Sequence, residues 1–142
     1  MAVTGLVLIG FLLMHMYGNL KMFLGEHSFD FYAEWLKGDI LYPLIPHGWF
    51  IWLFRAFMLA AIALHMYSAV TLWARAKAAN PQAYAAKKQL AQTYSARTMR
   101  WGGVILAGFL VFHLLQFTVK ATLVKGTADL TPYKLVVAEF NV

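Results

Sequence analysis

The stretch from His47 to Arg75, HGWFIWLFRAFMLAAIALHMYSAVTLWAR, constrains this chain more than any other. Between Arg55 and Arg75 it carries no charge and is built largely from Phe, Leu, Ala, Ile, Met and Val. About 20 such residues, rising ~1.5 Å each, match a hydrocarbon core ~30 Å thick, so the stretch predicts a transmembrane helix. His65 stands halfway between the two arginines. An imidazole at that depth has no water to bond, and ionisable groups inside a bilayer face protein, a cavity or a cofactor. Whatever folds around this helix must supply His65 with a partner.

Two further runs share its character. Apolar residues make up 61% of the chain and charged ones 13%, against roughly 45–50% and 25% in a soluble domain. The excess lies in Val3–Leu20, Phe57–Ala74 and Trp101–Val119, with the charges gathered between them. This pattern predicts an all-α transmembrane helix bundle of three spans, at about 2–24, 47–76 and 99–123, forming one domain over 1–142. A net charge of +6 would point to nucleic acid in a soluble chain, but positives beside membrane spans are explained by topology. Without cysteine, the chain can hold neither a disulfide nor a cysteine-ligated iron–sulfur cluster, so an electron carrier would use His or Met.

The first span starts almost at Met1, with no charge before Lys21. It has no basic leader and no small-residue cleavage site, which argues against a removable signal peptide, and the lack of a cytoplasmic tail before it points to residues missing upstream. Gly25 to Pro46 leaves the membrane with Glu26, Asp30, Glu34 and Asp39 against the single Lys37. Its aromatics, Phe29, Phe31, Tyr32, Trp35 and Tyr42, suit a short interfacial helix ended by Gly38, before Pro43 and Pro46 lead into the second span. From Arg75 to Arg100 six basic residues stand with no acid. The positive-inside rule therefore makes loop 75–100 cytoplasmic and loop 25–46 external, in a multi-pass protein of the cell membrane. Trp35, Trp49 and Trp52 would mark the outer interface and Trp73 and Trp101 the inner one. An Ala-rich piece, Tyr84–Tyr94, could add helical turns, and Tyr133–Phe140 reads as a helix start after Pro132.

One histidine sits in each span, at 15, 65 and 113. His15 lies six residues before Lys21 and His113 seven before Lys120, so the two share a depth of roughly 10 Å below the outer lysines. Counted from Arg55, taken as snorkelling to the outer interface or meeting a haem propionate, His65 is about one turn deeper. Two imidazoles from different helices at one level can ligate one iron from opposite faces, and haem b fits flat between helices. Interhelical hydrogen bonding is the plainer use of an intramembrane His. Three histidines, one per span and two of them level, weight the balance toward haem. Zinc fits less well, with no cysteine, no HxxxH pair and no carboxylate inside a span. Small residues near His15, namely Gly5, Gly10 and Gly18, could admit a planar group or a neighbouring helix. In the third span Gly102, Gly103 and Gly108 lie below His113, with Gln116 one turn above it. His27 and His47 lie at the rim and read as solvated or loop-packing.

These residues also resemble a family. MAVTGLVLIGFLLMHMYGNLKMFLG looks like the first helix of the cytochrome b membrane anchor of succinate dehydrogenase and fumarate reductase, in the single-subunit, two-haem class. The likeness continues through PHGWFIWLFRAFMLAAIALHMYSA, ARAKAANP and GGVILAGFLVFHLLQF, and rests on His-x-x-Gly-Asn in helix I plus the spacing to the other histidines. It implies five spans, four haem-ligating histidines, a bound quinone (menaquinone) and docking to a flavoprotein and an iron–sulfur subunit on the cytoplasmic face. His15, His65 and His113 match the first three metal ligands. The last two helices, the fourth histidine and the cytoplasmic lead-in have no counterpart here, and TPYKLVVAEFNV resembles the segment before the fourth span. The missing helices would thus lie in a longer protein or in another chain. As an electron-transfer subunit of respiratory complex II, the protein would not act on succinate by itself. The alternatives are another two-haem cytochrome b and a haem-free structural or transport subunit.

Overall fold

The computed structural model describes residues 1–38, 40–79, 94–120 and 129–141. Every regular element among them is helical, with no strand, and three helices are long and apolar enough to cross a membrane. The chain falls into two compact units, Met1–Gln82 and Ala83–Val142.

In the first unit, α1 (Ala2–Leu20) runs into a 3₁₀ turn (Lys21–Leu24), followed by α2 (Glu26–Gly38) and the long α3 (Trp49–Ala78). Gly25, at φ 98°, makes the turn between the first span and α2, a backbone state that glycine enters without steric cost. Glu26 in the first turn and Lys37 in the last complement the dipole of α2. Gly48, at φ 81°, opens α3. The helices α1 and α3 pack side by side, and Met58 and Ala61, 7% and 6% exposed, are the buried apolar residues of this unit. Most other apolar side chains on both helices are exposed. Such surface is untenable in water and suits a lipid solvent.

In the second unit, α4 (Tyr94–Leu114) passes into a π-helical turn (Leu115–Val119), and α5 spans Pro132–Phe140. The helix expected over 99–123 therefore runs from Tyr94 to Val119. Residues 94–100 contain neither Gly nor Pro to stop it, and Lys120 takes a left-handed conformation that ends it. Pro132 proves to be the first residue of α5, a position where its missing N–H costs nothing. The Thr131 hydroxyl caps that helix by accepting from the Lys134 N–H. Leu135, 4% exposed, is the buried residue of α5. The Ala-rich stretch before Tyr94 lies outside the described residues, as does Asp39.

Candidate cofactor site

The register between α1 and α3 follows from two contacts. Thr4 Oγ1 lies 3.0 Å from His65 Nδ1, and the rings of Phe11 and Phe54 are 5.9 Å apart. His65 is thus level with the first turn of α1. His15 is eleven residues farther along α1, a separation of roughly 16 Å, or three turns. The expected offset was one turn, because Arg55 was placed at the same surface as Lys21. Arg55 instead lies about level with Phe11, on the order of 15 Å farther in than Lys21. Its guanidinium rests 4.9 Å from the Trp52 ring centroid, one turn toward the Lys21 end. A long side chain bends toward polar surroundings in this way, and the ring face adds a cation–π attraction. Beyond His65, α3 continues to Ala78, past the level at which α1 begins.

His65 has one polar contact among the described residues, Thr4. The Thr4 hydroxyl also donates to the Met1 carbonyl at 3.0 Å, a local bond that threonine makes readily in a helix. A Cβ built on Gly5 would stand 3.7 Å from His65 Cε1, so Gly5 allows ordinary contact with the ring. Sequence reasoning passed over Thr4. Its only mark there is a hydroxyl in the first turn of an otherwise apolar helix, which gains meaning once the antiparallel register is known.

His15 stacks on Phe11 at 5.2 Å between ring centroids. Among the described residues, nothing lies within 4 Å of a Cβ added at Gly10. Gly18 differs. The Tyr32 ring of α2 sits over it, with Cε1 2.9 Å from where a Cβ would be. The small residue that could have admitted a planar group beside His15 admits α2 instead. Lys21 completes this corner, with Nζ 5.2 Å from the ring centroids of both Tyr17 and Tyr32.

At the far end of α2, Gly38 lies under the His47 ring, 2.7 Å from a built Cβ to Nε2. His47 is therefore a packing residue, and His27 stacks on Phe31 at 6.4 Å. Glu34 lines a shallow groove with Glu26, His27, Asp30 and Phe31. Trp49 and Trp52 line another with His47 and Gly48.

Within the second unit His113 sits between two phenylalanines, Phe109 at 5.6 Å and Phe117 at 5.2 Å. The π-helical turn begins two residues later, a distortion often retained near functional sites. From it Gln116 Nε2 donates to Glu139 Oε2 on α5 at 2.7 Å, and Phe117 stacks on Phe140 at 6.5 Å. The other oxygen of Glu139, Oε1, is buried and has no hydrogen-bond donor among the described residues. This Gln116–Glu139 tie was not foreseen, because Glu139 lies in the tail outside all three spans.

The imidazoles suit a haem iron in donor chemistry. The described spans offer neutral nitrogen ligands and no carboxylate or thiol. His65 also has one ring nitrogen engaged by a hydroxyl, as ligating histidines commonly do. No group of three His, Cys, Asp or Glu gathers to hold a metal ion among the described residues; a haem asks for only one or two axial imidazoles. No family model, curated protein or solved structure matches this chain.

Proposed function

We propose that this chain is a haem b-binding membrane anchor of a succinate:quinone oxidoreductase, carrying electrons between an iron–sulfur subunit and a quinone of the menaquinone type. One observation carries the reading: each of the three apolar helices holds a single interior histidine, and no other strong metal ligand lies in them. The sequence resemblance described above supports it. Haem b, when bound, supplies reversible one-electron exchange. His15, His65 and His113 would each serve as an axial haem ligand, as the resemblance implies. The basic segment Arg75–Arg100 is the docking face for the iron–sulfur subunit, and the flavoprotein beyond it acts on succinate. Quinone is taken at the Lys21 end beside α2, where Glu34 exchanges protons with the outer aqueous phase.

A haem-free structural subunit is the competing reading. The Thr4–His65 hydrogen bond favours it, since a bond between two helices is a sufficient reason for an intramembrane histidine. Absorption spectroscopy separates the two. Protein purified from its native membrane should show a haem b Soret band that His65→Ala diminishes; a colourless native preparation would eliminate the cytochrome reading.

A further inference from the structure

The Thr4 hydroxyl has one hydrogen and two neighbours able to accept it, the Met1 carbonyl and His65 Nδ1, each at 3.0 Å. The carbonyl can only accept, whereas a neutral imidazole nitrogen can do either, depending on where its proton sits. Two arrangements follow. In the first, the hydroxyl donates to Met1 and accepts from Nδ1–H, and Nε2 is left as a bare lone pair. In the second, the hydroxyl donates to Nδ1, and Nε2 must carry the ring proton.

The surroundings decide between them. His65 has no other hydrogen-bond partner among the described residues. The second arrangement would thus leave an N–H pointing into an apolar span with no acceptor. The first leaves only an unoccupied lone pair. Orphaned N–H groups are rarer than under-satisfied acceptors, and hydrocarbon beside a half-buried ring offers no acceptor. The Met1 carbonyl already accepts from the Gly5 N–H at 2.8 Å, and its second lone pair is available for the hydroxyl. The chain His65 Nδ1–H to Thr4 Oγ1–H to Met1 O is then satisfied at every donor.

We infer that Thr4 is a positioning residue for His65, fixing the imidazole as the Nδ1–H tautomer and presenting Nε2 as a lone-pair donor to a metal. The ligand class is a metal centre that takes neutral imidazole through Nε2. The identification of that centre as haem rests on the proposed function; the tautomer does not. Holding the second ring nitrogen in a hydrogen bond fixes ring orientation and raises the basicity of the ligating one.

The test uses the full chain with ¹⁵N-labelled histidine in lipid bilayers without added haem, read by solid-state NMR, with the His65 signals assigned by their loss in His65→Gln. Wild type should show His65 protonated at Nδ1 and bare at Nε2. Thr4→Ser keeps the hydroxyl and should keep that pattern, whereas Thr4→Val keeps the shape and should shift His65 predominantly to Nε2–H. A wild-type His65 protonated at Nε2 overturns the inference whatever the variants do, and so does an unchanged tautomer in Thr4→Val. A parallel titration of the same bilayers with haem b tests the functional reading separately: a Soret band that saturates and shifts on ligation in wild type but not in His65→Gln supports haem, and identical spectra in the two would remove haem and leave the tautomer result standing.

Discussion

The bond between Gln116 and Glu139 offers a quantitative test of how the second unit holds α5. Among the described residues Oε2 of Glu139 has one donor, Gln116 Nε2 at 2.7 Å, and Oε1 has none. Replacing Gln116 by Leu removes that donor and leaves both carboxyl oxygens unsatisfied among the described residues. A buried polar group stripped of its partner costs about 1–3 kcal/mol. If that cost falls on docking of α5, its local opening becomes roughly 5- to 160-fold more frequent. Amide hydrogen exchange at residues 135–140, measured in micelles or bilayers, reads this directly. The double variant Gln116→Leu with Glu139→Leu removes both polar groups together, and replacing a bonded pair by apolar groups of similar shape is close to neutral. Exchange in the double variant should therefore return toward wild type, against the direction of either single change. Unchanged exchange in Gln116→Leu would refute the reasoning, as would a double variant as loose as the two singles combined.

Three further outcomes are expected. Gly18→Ala drives a methyl to 2.9 Å from the Tyr32 ring; the overpacking costs about 1–3 kcal/mol, offset by about 1 kcal/mol of helix propensity. Limited proteolysis should then cut α2 faster, whereas Gly10→Ala, which meets nothing within 4 Å, should leave cleavage as it was. His15→Ala and His113→Ala should each lose haem b absorbance in low-temperature spectra, and an unchanged spectrum in either variant would remove that histidine as a ligand. Glu34→Gln should slow quinone-coupled turnover with both haem spectra intact, and Asp39→Asn is the companion variant; normal rates in both would remove the quinone from that end.

Charge and glycine made the elements readable in advance. The uncharged runs marked the three spans, and Gly38 marked the end of α2 within a stretch whose aromatics and acids had to share an interface. What stayed hidden was register. Helices that are apolar all round carry no stripe to say which face meets a neighbour, so neither the Thr4–His65 bond nor the seat of Tyr32 on Gly18 could be read from spacing. The depth of His65 was misjudged for the same reason: an arginine at one end of a span was taken as a surface marker. The end of the third helix at Val119 was not foreseen because nothing in the sequence there signals the left-handed turn at Lys120.

The depth of Arg55 has an electrical consequence. Its guanidinium belongs to a residue lying between the levels of His15 and His65, and no carboxylate lies within the described spans to neutralise it. At a separation on the order of 10 Å and an effective dielectric constant of about 20, one positive charge stabilises an arriving negative one by roughly 1.7 kcal/mol. The interior of the first unit is thereby biased toward holding an electron. Any redox group seated beside α3 would have its midpoint potential raised by that fixed cation, and Arg55→Gln would lower it without touching a ligand.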